Sequence, residues 1–264
     1  MHAGAAINFN DGLGGGNVVR NNLIFNTCRE SGDHGPINSW DRMPFLTELV
    51  PDADSGAPTF ASRPNEITRN LIVANYGASQ AVDNDDGSSW YRIHDNLFYG
   101  AEGLKMDYGG HSTAFFNNLV MVMPYDGSNC INVGGFEKGV GDAFFNNTCV
   151  SGIGEWDMGS GCGSPACANR SHTVPSMDVV GQVSQCDPKR TSLARNRYYT
   201  PHGNATLRCG GTAASLSDVQ RQFGNEVGSS ATGLPTAGEA LGWAAALVHA
   251  WDEGEGTLPL ASGL

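Results

Sequence analysis

Sorted into apolar and polar positions, the chain up to about residue 210 is a series of short runs of β-formers punctuated by one returning phrase. Asparagine followed by leucine occurs at Asn22-Leu23, Asn70-Leu71, Asn96-Leu97 and Asn118-Leu119, and the position continues as Asn147-Thr148 and Asn196-Arg197. Ahead of the phrase stand Val18-Val19-Arg20, Tyr91-Arg92-Ile93, Ala114-Phe115-Phe116 and Ala143-Phe144-Phe145; behind it stand Leu23-Ile24-Phe25 and Leu119-Val120-Met121-Val122. Branched and aromatic residues in such short runs predict strands, and no 3.6-residue periodicity is sustained before about residue 213.

The Asn-to-Asn steps are 48, 26, 22, 29 and 49 residues. Steps in the twenties match one coil of a solenoid, and the two long steps predict two turns each. Stacking coils about 4.8 Å apart would set the recurring amides above one another, where each can donate to and accept from its neighbours. The recurring Asn residues are thus read as a structural ladder, with Leu23, Leu71, Leu97 and Leu119 pointing into one solenoid interior. The 36 glycines supply turn chemistry between the runs. The fold class that follows is all-β, a parallel β-helix.

Only the end of the chain reads as helix. Thr236-Ala237-Gly238-Glu239 has the form of a capping box, and Leu241, Ala244, Ala245 and Val248 follow as an apolar stripe ending near Gly254. The predicted organisation is a β-helix over 1–212 and an exit segment with a C-terminal α-helical cap laid on the solenoid over 213–264.

Charge and cysteines narrow the setting. Fifteen basic against 27 acidic residues leave a net charge of -12, which disfavours nucleic acid and anionic membrane as partners. No apolar stretch approaches the 18 or so residues that span a bilayer. Seven cysteines and three sequons, at Asn146, Asn169 and Asn204, point to an oxidising, secretory environment. Cys149, Cys162, Cys167, Cys186 and Cys209 crowd a Gly-, Pro- and Ser-rich stretch that predicts a disulfide-stapled insertion at about 150–210. Proximity suggests Cys162 with Cys167 and Cys186 with Cys209; zinc ligation is the rival, without a repeated short Cys-x-x-Cys pair to support it. Residues 1–6 have no charged or apolar leader character, and Ile7-Asn8-Phe9-Asn10-Asp11-Gly12 already reads as strand and turn, so upstream coils and a signal peptide are expected to precede it.

The candidate chemistry comes from aligning coils on the ladder. Asp85 and Asp107 both lie 11 residues before a ladder Asn, so they should stack on successive rungs; Asp83 should stack on Lys105, and Asp11 shares the offset of Asp85. Neighbouring carboxylates raise one another's pKa, as an acid/base pair needs. Asp86-Gly87 by itself is an ordinary turn sequence. Trp90 and His111 belong to the same two coils. Calcium is the ion that Asp83, Asp85 and Asp86 would suit, although no cofactor is required. A second constellation, Gly32-Asp33-His34-Gly35-Pro36-Ile37-Asn38-Ser39-Trp40-Asp41-Arg42, gathers proton-exchanging, anion-binding and ring-stacking side chains. His94 and His249 lack such company and read as structural or surface residues.

On these residues the sequence resembles the right-handed parallel β-helix proteins of the pectate-lyase-like superfamily, above all secreted members that carry the segment matched at residues 32–42. Asp83-Asn84-Asp85-Asp86-Gly87-Ser88 and Gly103-Leu104-Lys105-Met106-Asp107 look like the same group, and the exit segment at 216–229 looks like the one that closes many carbohydrate-active β-helices. The paired Asp85-Asp86 and the later Gly110-His111-Ser112 are similar in part to the polygalacturonases. The resemblance implies polysaccharide as substrate.

The leading expectation is a secreted, monomeric glycoside hydrolase. Asp85 and Asp107 form its carboxylate pair, Asp33 is an alternative partner, and His34, Trp40, Arg42, Asp86, Trp90 and His111 border the sugar. Two alternatives stand beside it. One is a lyase or C5-epimerase on a uronate polymer with Lys105 or His34 as base, the other a non-catalytic glycan-binding protein.

Overall fold

The computed structural model of the chain describes residues 4–9, 15–29, 33–41, 63–74, 79–106, 110–122, 129–133, 141–151, 178–183 and 186–252. Its strands follow one cycle. Sheet A receives β1 (Ile7–Phe9), β4 (Ile37–Trp40), β7 (Val82–Asp85), β10 (Leu104–Met106), β13 (Ile131–Val133), β16 (Val179–Val183) and β19 (Thr206–Cys209). Sheet B receives β2 (Val18–Arg20), β5 (Asn65–Thr68), β8 (Tyr91–His94), β11 (Ala114–Phe116), β14 (Asp142–Phe145) and β17 (Thr191–Ala194). Sheet C receives β3 (Leu23–Phe25), β6 (Leu71–Val73), β9 (Leu97–Tyr99), β12 (Leu119–Val122), β15 (Thr148–Ser151), β18 (Arg197–Thr200) and β21 (Ser230–Gly233). Neighbours in each sheet pair in parallel, apart from β20 (Thr212–Ser215), which turns back antiparallel on β19. Each coil therefore adds one strand to each sheet, which is the parallel β-helix expected from the sequence.

The ladder holds the corner between sheets B and C. Asn22 Nδ2 donates to Asn70 Oδ1 at 2.9 Å, and Asn70, Asn96, Asn118 and Asn147 repeat the contact to the next rung at 3.0–3.1 Å. The backbone N–H of each of these residues donates to the same oxygen. Direct contact of Asn22 with Asn70 and of Asn147 with Asn196 corrects the expectation of two turns for the long steps. Each is a single coil with a long insertion, which closure entropy tolerates because it grows only slowly with length. The bend is made by the residue before each ladder Asn, which is left-handed at Asn21, Arg69, Asp95, Asn117, Asn146 and Arg195, with φ of 53–57°.

Alternation then decides which way the following side chains point. With the ladder amide turned inward, the next residue must face out and the one after it in. So Ile24, Ile72, Phe98, Val120, Cys149 and Tyr198 line the interior, with Ile67, Ile93, Phe115, Phe144 and Leu193 of sheet B opposite. Leu71, Leu97 and Leu119 lie outside, against the helix, and Leu23 is 61% exposed, which overturns their placement in the solenoid interior.

The helix α1 (Ala237–Asp252) covers that outer face of sheet C. Thr236 and Glu239 form the expected capping box, the Thr236 N–H donating to Glu239 Oε2 at 2.7 Å and the Glu239 N–H to Thr236 Oγ1 at 3.2 Å. The buried stripe differs from the one predicted: Ala240, Trp243, Ala244, Leu247, Val248 and Trp251 pack on Leu97, Leu119, Met121, Val150 and Tyr199, while Leu241 and Ala245 face outward. Two large tryptophans set the contact face, and counting aliphatic residues alone missed them.

Cys186 pairs with Cys209 as expected, and Cys130 pairs with Cys149, a bond from the start of sheet A to sheet C that local proximity did not suggest. Cys162 and Cys167 lie outside the described residues. Cys28 is free and buried.

The exit segment terminates the last coil by meeting its open hydrogen-bonding groups. Asn196, the last ladder rung, donates through Nδ2 to Glu226 Oε2 at 3.2 Å, and its N–H donates to Ser229 Oγ at 2.8 Å. Tyr198 and Ser229 also donate to the fully buried Glu226 carboxyl, both at 2.5 Å. Asn225 does the same for the corner between sheets A and B, accepting from the Leu193 N–H at 2.6 Å and donating to the Thr191 carbonyl at 2.8 Å.

Candidate functional site

Sheet A alternates as strictly as sheet C. Ile37, Val82, Leu104 and Ile131 point in, and Asn38, Asp83, Lys105, Asn132 and Gln182 form an in-register row pointing out. Lys105 stands between two carboxylates on the preceding strand, with Nζ 3.0 Å from Asp83 Oδ1 and 3.3 Å from Asp85 Oδ1. The expected stacking of Asp83 on Lys105 is thus observed. Asp83 is fully buried while Asp85 keeps 21% side-chain exposure, so one face of this ion pair is closed and the other open. Burial raises the Asp83 carboxyl above its ordinary range, against the pull of Lys105.

Trp40 is the register partner of Asp85 on the strand before. Its ring centroid lies 6.1 Å from that of His34, so the two ends of the 33–41 segment meet over the outer face of β4 and the outward Asn38 is left 1% exposed. Gly35 permits this docking, because a Cβ there would stand 1.9 Å from the Gln80 carbonyl oxygen. Asp33 is exposed and directly precedes His34. Asp86 makes the turn its sequence suggested: its N–H donates to Asp85 Oδ1 at 3.0 Å, its carbonyl accepts from the Asp41 N–H at 3.0 Å, and its φ is 42°. Trp90 and His111 are neighbours on successive rungs of the corner between sheets A and B, the Trp90 N–H donating to the His111 carbonyl at 3.0 Å. Asp107, Arg42 and Asp11 lie outside the described residues. Among the described residues, no group of three or more His, Cys, Asp or Glu side chains is arranged to hold a metal ion.

Several carboxyls were not singled out when the coils were aligned on the Asn ladder. Glu102 lies at the corner leading into sheet A, 9% exposed, and accepts from Gln80 Nε2 at 2.5 Å; burial pushes its carboxyl up to about 7. The signal was in the alignment, since Gln80 and Glu102 each lie 16 residues before a ladder Asn. Asp142 belongs to a second ladder, found five residues before each Asn of the first, in which Asn17 donates to Asn65, Tyr91 to Thr113 and Thr113 to Asp142. Its Oδ1 accepts the Thr113 N–H at 2.9 Å, its Oδ2 is buried without a partner, and burial pushes the group up to about 8. His94, read as lacking company, bridges Asp95 Oδ2 at 2.7 Å and Glu66 Oε1 at 2.9 Å.

Comparison of the chain with protein-family models, characterised proteins and solved structures finds no match.

Proposed function

We propose that this β-helix is a secreted polysaccharide-active enzyme of the pectate-lyase-like type, and that its reaction is glycoside hydrolysis on the outer face of sheet A. The observation that carries the reading is the half-open ion pair, in which Asp85 reaches solvent with the Lys105 ammonium fixed on one side and the Trp40 indole on the neighbouring rung. A carboxylate with a fixed counter-charge suits a nucleophile or general base, and an indole beside it suits the apolar face of a sugar ring. Asp107 lies outside the described residues; its sequence offset, 11 residues before a ladder Asn like that of Asp85, is the ground for taking it as the second carboxylate, and a retaining pair needs a separation of roughly 5–5.5 Å.

The lyase or epimerase reading is less well supported where Lys105 is its base, because that lysine is already engaged with two carboxylates; His34 is the other candidate base. The Cys130–Cys149 and Cys186–Cys209 disulfides fit a chain that works outside the cell. The test is a screen of neutral and uronate polysaccharides that reads new reducing ends together with the ultraviolet absorbance of unsaturated uronate. Hydrolysis gives reducing ends without that absorbance. Both signals together would transfer the reading to a lyase, and neither would leave an epimerase or a binding protein.

A further inference from the structure

Sheet B presents its outer face differently from the other two. Its outward residues at His94, Phe116 and Phe145 stack ring on ring, with centroids 4.7 and 4.9 Å apart and planes 8° and 1° from parallel. Phe116 and Phe145 are half-buried and belong to neither packed apolar cluster. Two exposed guanidiniums lean on this row: Arg92 lies 5.2 Å from the Phe116 centroid and Arg195 lies 5.8 Å from that of Phe145. Arg195 also donates through Nε to Asn146 Oδ1 at 2.9 Å. The nearby acids, Glu66 and Asp95, are both engaged by His94. In a chain of net charge -12 this face concentrates cation and aromatic surface.

We infer that the outer face of sheet B binds an anionic polysaccharide laid along the solenoid axis, with one sugar to a rung. The surface is periodic because Ala-Phe-Phe-Asn-Asn occurs twice, at residues 114–118 and 143–147, on rungs that pair directly. A periodic surface suits a periodic ligand, and the rung spacing of about 4.8 Å is comparable to the length of one pyranose. Phe116 and Phe145 offer apolar edges to successive sugars, and Arg92 and Arg195 offer guanidiniums to their carboxylates or sulfates. A sparsely and regularly charged polymer needs only this strip. A nucleic acid or an anionic membrane would meet the charge of the whole acidic molecule. The surface is separate from the Asp85 site and does not depend on the reaction proposed there.

The experiment is affinity electrophoresis of the full chain in gels containing polygalacturonate, dextran sulfate or uncharged dextran, with phosphatidylserine vesicles assayed by flotation. The expected result is retardation by at least one of the two charged polymers, weakening with salt, and none by dextran; whichever polymer binds more tightly identifies the anion. Arg92→Gln with Arg195→Gln, both exposed positions, should weaken that retardation by about tenfold or more. Equal retardation of the double variant, retardation by dextran alone, or binding to vesicles without binding to either charged polymer overturns the assignment. A failure to produce sugars in the hydrolysis screen leaves this result untouched, so the two readings fail separately.

Discussion

The outer faces of sheets A and C stand on the same coils and both bury outward residues, yet those residues are of opposite chemistry. On sheet C the outward row is apolar, Leu71, Leu97 and Leu119 followed by Tyr99, Met121 and Val150, and α1 seals it into a second core. On sheet A the outward row is polar and charged, and Asn38 and Asp83 are buried all the same. Burying Leu119 is favourable without further arrangement, whereas burying Asp83 costs several kcal/mol unless a partner is fixed beside it. Lys105 is that partner. A solenoid can build an apolar outer face wherever a helix is at hand, so a charged one that is buried needs another explanation, and the sugar chemistry proposed above would be one.

The largest effect should come from emptying the apolar face. Leu119→Ala, at a fully buried position, should cost about 2–5 kcal/mol in urea unfolding, while Leu23→Ala at the exposed end of the same row should cost less than about 0.5 kcal/mol. Equal effects would mean that α1 does not make a second core.

The next effect belongs to the buried acids. Glu102 and Asp142 have folded-state pKa values raised from 4.5 to about 7 and from 3.8 to about 8. Between those limits each group is more protonated in the folded protein than in the unfolded one, so the contribution of these two groups is full below about pH 4 and is lost as pH rises to about 8. Thermal midpoints should therefore fall from pH 5 to pH 8. Glu102→Gln and Asp142→Asn should flatten that slope, while Leu119→Ala should leave it unchanged. Asparagine occupies the Asp142 row at Asn17 and Asn65, so Asp142→Asn should also stabilise the protein at pH 8 by about 1–3 kcal/mol, the cost of an unpartnered buried oxygen. An unchanged pH slope in both variants would show that these carboxyls are not held neutral.

Smaller effects test the helix itself. Thr236→Ala should cost about 1 kcal/mol through loss of the capping box, and Leu241→Ser should stay within about 0.5 kcal/mol because Leu241 faces solvent. A large loss in Leu241→Ser would mean that the helix turns its other stripe to sheet C.

The same contrast explains how much could be read from the residues alone. The ladder, the parallel coils and the pairing of Asp83 with Lys105 were legible because each depends on a fixed offset from a recurring Asn. The direction of Leu97 was misread although period-two alternation dictates it, because an apolar residue was assumed to face the only core then in view. The Cys130–Cys149 bond was illegible because solenoid geometry brings together positions on different sheets of one coil. Glu102 and Asp142 were overlooked for a different reason: their offsets from the ladder Asn were there to be read, but burial is what makes them unusual, and burial has no local sequence signature.

The central claim is that the charged face of sheet A is retained for catalysis at Asp85, and Asp85→Asn tests it most directly. Asparagine keeps the size of the side chain and an oxygen for the Asp86 N–H, so the turn should persist. On the polysaccharide that the screen identifies, kcat/KM should fall by about 10²–10⁴-fold, the range for losing a positioned acid–base group, while the thermal midpoint stays within a few degrees of wild type. Wild-type turnover in a folded Asp85→Asn protein would contradict the account.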